Sequence, residues 1–242
     1  YGLDRGSLTS KVEETLLAVD HEIQIDNLQS ETVYYYSVAN NDLILLNAQE
    51  DLFFRTHPII NSSGKLRAWV LGDCGTANGD ARKVRDAYYD YVDDKTTDMV
   101  LFLGDNAYTD GTDNEYQYAI FEDMYEDILK NTCSWSCLGN HDGRSADSGD
   151  QTGVYYDIFS FPKYGESGGV PTGTEAYYSF DFGNVHFISL DSYDSDRSTD
   201  GQMYAWCKND LENTEADWII AYWHHPPYSK GSHNSDSESR LV

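Results

Sequence analysis

Nowhere does this chain run to 18 consecutive apolar residues, which excludes a membrane-spanning helix. Basic residues are scarce: 16 Lys and Arg stand against 42 Asp and Glu, a formal charge of −26. A field of that sign repels nucleic acid and anionic membranes, so polyanion binding is disfavoured. It suits solubility in a salty or extracellular medium, and a solvated acidic surface accounts for it equally well. Cysteine is sparse too. Cys74, Cys133, Cys137 and Cys207 include no second pair at zinc-finger spacing. They permit three complete disulfide pairings, among which sequence does not choose. Cys133 and Cys137 are near enough for a local bridge if the chain bends between them. No initiator Met and no secretory leader opens the sequence, and Tyr1 sits in what reads as mid-domain sequence. The expectation is a processed or partial chain. What is present, 40% hydrophobic and 24% charged residues over 242 positions, is ordinary for a folded protein of one or two domains.

Residues 1–58 read as β throughout. Strands are expected at 21–25, 32–38 and 51–56, separated by Asn, Asp and Ser clusters. The Leu28-x3-Thr32-x-Tyr34 spacing resembles the tyrosine corner of a fibronectin type III-like sandwich, which at ~100 residues is longer than this segment. The reading is therefore a partial sandwich over 1–58 and a linker over 59–66, within which Asn61-Ser62-Ser63 forms a glycosylation sequon. From Leu66 strands and helices alternate. Residues 81–94 carry apolar or aromatic residues at Val84, Ala87, Tyr88, Tyr91 and Val92, the rhythm of an amphipathic helix. Helices are also expected at 114–129 and 203–211, a hairpin over 177–190 turning at Gly183-Asn184, and a strand over 217–223.

Four blocks stand at the ends of expected strands. They are Gly72-Asp73-Cys74-Gly75, Gly104-Asp105-Asn106-Ala107-Tyr108, Gly139-Asn140-His141-Asp142 and His224-His225-Pro226-Pro227-Tyr228. Residues just past strand ends line the functional crevice of an open α/β sheet, so oxygen and imidazole donors are aimed at one place. Each block alone has a plainer reading. Gly-Asp is a common turn, Asn140 is an unusual metal ligand, Tyr108 is one of 20 tyrosines, and His224 could be a hydrogen-bonded core imidazole. His225 reads as structural or as a neighbour of the ligands. In this order and together the blocks imply a metal site.

The combination resembles the calcineurin-like metallophosphoesterases, and the Tyr of Gly-Asp-x2-Tyr resembles their purple acid phosphatase branch. The resemblance covers nearly the whole chain. It implies an α/β metallophosphoesterase fold over 67–242, with a β-sandwich core flanked by helices and a C-terminal part missing. It also implies two metal ions, Fe(III) with Zn, Mn or Fe(II). By motif, Asp73 and Tyr108 would ligate one ion, Asp105 would bridge, and Asn140 and His224 would ligate the other. His141 would hold phosphate or protonate the leaving group, and His233 would contact substrate. Hard oxygen donors and imidazole suit those ions. Two cations could clamp a phosphate and activate a water for in-line attack, and would locally reverse the acidic field.

One departure stands out. The family's Gly-His-x-His motif, expected beyond His224, is absent from the seven histidines present. Truncation is the expectation, with a weakened metal centre and an inactive fragment. The functional expectation is a phosphatase acting on a phosphorylated small molecule, secreted or at the cell surface. Two alternatives remain open: a phosphodiesterase or nucleotidase with the same centre, and a non-catalytic acidic scaffold. Asp191, Asp194, Asp196 and Asp200 fit no EF-hand spacing, which leaves them as solvated loop.

Overall fold

The structure, a computed structural model, describes residues 1–41, 43–231, 234 and 236. The N-terminal strands β1 (Val33–Tyr35), β2 (Val38–Asn40), β3 (Leu43–Leu46) and β4 (Phe53–Arg55) pair only in twos, β1 with β4 and β2 with β3. These pairings alone do not make the expected fibronectin-like sandwich. The tyrosine-corner bond is nevertheless formed, with Gln29 N donating to Tyr34 Oη at 2.9 Å. Residues 21–25 form no strand, a correction to the alternation in the sequence, because no neighbouring strand supplies a ladder. The segment expected as one strand over 32–38 breaks after Tyr35.

The main body holds two three-stranded sheets. In the first, β5 (Ala68–Leu71), β6 (Met99–Phe102) and β7 (Cys133–Ser136) run parallel. All four residues of β6 are buried, as a central parallel strand requires. The register aligns Leu71 with Phe102 and Phe102 with Ser136, so the three strands end level. After short β8 (Ala146–Asp147) and β9 (Thr152–Gly153) comes the second sheet. Its strands are β10 (Tyr178–Phe182) and β11 (Val185–Ser189), an antiparallel hairpin, and β12 (Trp218–Tyr222), parallel to β11. The hairpin turns at Gly183, whose φ of 57° suits glycine. The sheets share one core: Trp135 of β7 stacks on Phe180 of β10 at 3.7 Å, and Tyr178 Oη donates to Ser136 O at 2.6 Å.

Helices cover this core. In α1 (Gly79–Val92) the Asn78 side chain caps the N-terminus by accepting from Asp80 N and Ala81 N, and Tyr88 stacks on Trp69 at 3.8 Å. The expected helix over 114–129 is interrupted. It comprises α2 (Asp113–Tyr116), a wide turn (Gln117–Tyr125) with non-helical backbone at Glu122 and Asp123, and α3 (Glu126–Leu129). Arg85 of α1 donates to the carbonyls of Asp123 and Met124, satisfying backbone that the break releases. The break returns Met124, Tyr125 and Ile128 to the core. After α4 (Val154–Ile158), α5 (Gln202–Asn213) packs Trp206 against Tyr177. All four thiols are free. Cys133 and Cys137 begin and follow β7, and extension at ~3.3 Å per residue holds them beyond bridging distance.

Away from the strand ends, His186 is buried with both ring nitrogens 2.7 Å from carboxylates, Nδ1 from Asp181 and Nε2 from Asp210. Only the doubly protonated ring donates to both. Burial opposes the charge, but the two carboxylates outweigh it and raise the pKa to about 9. Folding lifts it from the ~6.5 of a free histidine, so the stabilisation is complete below pH 6.5 and lost as pH rises through 9. Urea unfolding is expected to weaken by about 3 kcal/mol across that window. His186→Gln should flatten the profile, and an unchanged slope in that variant would refute the assignment.

Candidate metal centre

Level strand ends bring the four blocks together. Asp73 follows β5, Asp105 follows β6, the loop 139–142 follows β7, and His224 follows β12. Asp73 and Asp105 each adopt φ 53°, a left-handed backbone costly for most side chains and tolerated best by Gly, Asn and Asp. One ligand atom from each of Asp73, Asp105 and His224 lies within 4.8 Å of the other two. Tyr108 Oη joins them, donating to Asp73 Oδ1 at 2.9 Å and to Asp105 Oδ2 at 3.0 Å. Burial, then its bonds to these carboxylates, raises the Tyr108 pKa.

Glycines make the approach possible. A Cβ on Gly139 would stand 2.1 Å from Asp105 N, and one on Gly104 would stand 2.8 Å from the His224 ring. His224 Nδ1 lies 2.8 Å from Leu103 O; a carbonyl only accepts, so Nδ1 carries the proton and Nε2 is left to face Asp105 Oδ1 at 3.5 Å. His141 follows the same logic. Its Nδ1 donates to Thr109 O at 2.5 Å, and Nε2 lies 4.0 Å from Asp105 Oδ2. Asn140 is half-buried between two residues that both touch Asp105, since His141 N donates to Asp105 Oδ1 at 2.9 Å. Asp73, Asp105, Tyr108, His141 and His224 thus meet here, Asn140 stands on the adjoining loop, and His233 lies outside the described residues.

Two converging carboxylates with a phenol and an unprotonated imidazole nitrogen form a donor set that fits hard or borderline cations. The residue types match; Asp73, Asp105, Tyr108, Asn140 and His224 could hold such ions.

Sequence reading missed Asp142. It is fully buried, and its carboxylate accepts from Asn106 N (3.0 Å), Asn106 Nδ2 (3.2 Å), Gly139 N (2.9 Å) and Tyr116 Oη (2.5 Å). Burial raises its pKa despite these bonds. Its only signal was its place at the end of the Gly139 block. Arg144 was missed as well: Nη1 donates to Thr109 O, the carbonyl that also anchors His141, and to Asp110 Oδ1.

Residues 66–241 match the calcineurin-like phosphoesterase family. This chain belongs to that family. Among curated relatives, this phosphoesterase chain is 28% identical over 235 residues to purple acid phosphatase 15 of Arabidopsis thaliana, which covers 86% of the chain and 42% of the relative. It is 26% identical over 249 residues to Arabidopsis purple acid phosphatase 23, covering 90% and 51%. The chain therefore spans about half the length of these relatives. The solved purple acid phosphatase PPD1 from yellow lupin seeds superposes with a TM-score of 0.62 over 89% of the chain and 40% of its own; at 19% identity this is a likeness of fold.

Removing Asp142 tests what holds the phosphoesterase loops together. Asp142→Ala is expected to cost about 3 kcal/mol or more in urea unfolding, because four donors lose a buried acceptor. The exposed Asp110→Ala should stay within about 1 kcal/mol of the wild type. Equal losses would contradict the ranking.

Proposed function

We propose that the intact protein is a purple-acid-phosphatase-like hydrolase of phosphate monoesters on small molecules. The observation that carries this reading is the convergence of Asp73, Asp105, Tyr108 and His224 at level strand ends, with Asn140 and His141 on the adjoining loop. Asp73 and Tyr108 would hold one cation, Asp105 both, and Asn140 and His224 the second, with Fe(III) paired with Zn, Mn or Fe(II) as the family implies. Bound ions would supply Lewis-acid polarisation of the phosphoryl group and activation of water.

The chain's own residues do the rest. Thr109 O accepts the Nδ1 proton of His141 in a hydrogen bond, so Nε2, once protonated, would hold an ester oxygen and give the leaving alkoxide its proton. Arg144 donates to the same carbonyl. Leu103 O orients His224 as Thr109 O orients His141. By the family resemblance, His233 would contact substrate. An extracellular or cell-surface setting suits the charge of −26.

The test is hydrolysis of 4-nitrophenyl phosphate by the intact, metal-reconstituted protein. Asp105→Asn should reduce it roughly 100-fold or more with the fold retained. Activity that survives Asp105→Asn would overturn the site. No hydrolysis by the wild type would favour the non-catalytic scaffold, and faster cleavage of a bis-aryl diester would favour the phosphodiesterase.

A further inference from the structure

Strands β11 and β12 end in register, Ser189 beside Tyr222, so the loops that follow them leave side by side. One carries Ser192 and Tyr193; the other carries His224 and His225. The two are stitched together, His225 N donating to Ser192 Oγ and His225 Nδ1 meeting the same oxygen, both at 3.0 Å. His225 meets the His224 ring edge-on at 4.8 Å and lies at a shallow 24° to the Tyr193 ring, 6.2 Å away. Tyr193 also lies against Gly143, where a Cβ would stand 2.2 Å from Cε1. Gly143 follows the loop of Asn140, His141 and Asp142. Tyr193 thus bridges the loop after β7 and the loop after β12, the two that flank the candidate metal centre from opposite sheets.

The ring is held and left partly open. Buried Asp191 accepts from Tyr193 N (2.8 Å), Asp194 N (3.1 Å), Ser195 N (2.9 Å) and Ser195 Oγ (2.8 Å), which pins the backbone on which the ring stands. Arg197 Nη1 donates to Tyr193 O at 3.0 Å. Yet Tyr193 stays 37% exposed. A large aromatic side chain on a fixed backbone loses little entropy when a ligand covers it, which makes it an inexpensive contact surface. Its attraction for a flat ring does not depend on charge, an advantage in a chain whose acidic field repels further anionic groups on a substrate.

We propose that Tyr193, backed by His225, is the platform for the leaving group. The preferred substrate is then a phosphate ester whose departing alcohol carries a flat π system that stacks on Tyr193. This rests on the phosphatase reading above and adds to it the side of the ester that the metal donors do not contact. Tyr193 acts on specificity; it takes no proton and makes no bond.

The experiment compares kcat/KM of the intact, metal-loaded protein for 2-naphthyl phosphate and for glycerol 2-phosphate. The comparison is made in the wild type, Tyr193→Leu and Tyr193→Phe. Tyr193→Leu is expected to lower the naphthyl-to-glycerol ratio roughly three- to tenfold, and Tyr193→Phe to restore it. Equal losses on both esters would make Tyr193 a structural residue and overturn the platform. If the wild type cleaves neither ester, the phosphatase reading fails, and the platform is judged on 2-naphthyl phosphate binding followed by its own fluorescence. Weaker binding to Tyr193→Leu than to Tyr193→Phe then upholds it, and equal binding refutes it.

Discussion

One buried carboxylate holds the functional end of this molecule together. Asp142 has no solvent to satisfy it, so each lone pair must find a donor in the protein. The donors it finds come from separate places: the backbone and side chain of Asn106 after β6, Gly139 N after β7, and the phenol of Tyr116 in α2. A single ionised group thereby fixes the two loops that present Asp105 and Asn140. Charge-assisted bonds of this kind are short and directional, which is what a site built from loops requires. Breaking one partner would leave the others unpaired in a place that water does not reach, so the arrangement is held as a unit.

The same end of the molecule concentrates repulsion. Asp73 and Asp105 bring two carboxylates together within a chain already at −26, with the Tyr108 hydroxyl as the donor that both share. Left-handed backbone at both aspartates and the glycine contacts around them add cost to that approach. Strain and like charge gathered at strand ends are what a fold accepts where cation binding rewards it.

Much of this was legible in the sequence, and the unread parts share a cause. The blocks beginning at Gly72, Gly104 and Gly139 were readable because a strand end constrains both its apolar run and the glycine after it. The level ending of β5, β6 and β7, which turns separate motifs into one site, is a matter of register between distant segments. The break at Glu122 and Asp123 escaped periodicity because apolar spacing continues through it, while Arg82 and Arg85 of α1 bond the altered path. Asp142 was hidden differently. Its role depends on burial, and a carboxylate after Asn-His reads equally well as a solvated turn. Residues 21–25 show the opposite error, since alternation alone makes no strand without a partner.

His186 and Asp142 show how one chemistry serves two ends. Both are buried ionisable groups that join elements far apart in sequence, yet they differ in what the surroundings favour. His186 sits between Asp181 and Asp210, so its charge is neutralised on both sides and its protonated form is preferred. Asp142 is surrounded by neutral donors alone, with Asp105 nearby, so desolvation prevails and its charge is held at a cost. A neutralised group can be a static tie between β10, β11 and α5, at the far end of β11 from Asp191. A group held ionised without a counter-charge gains most from a cation beside it, which ties the rigidity of the loops after β6 and β7 to the donors they carry.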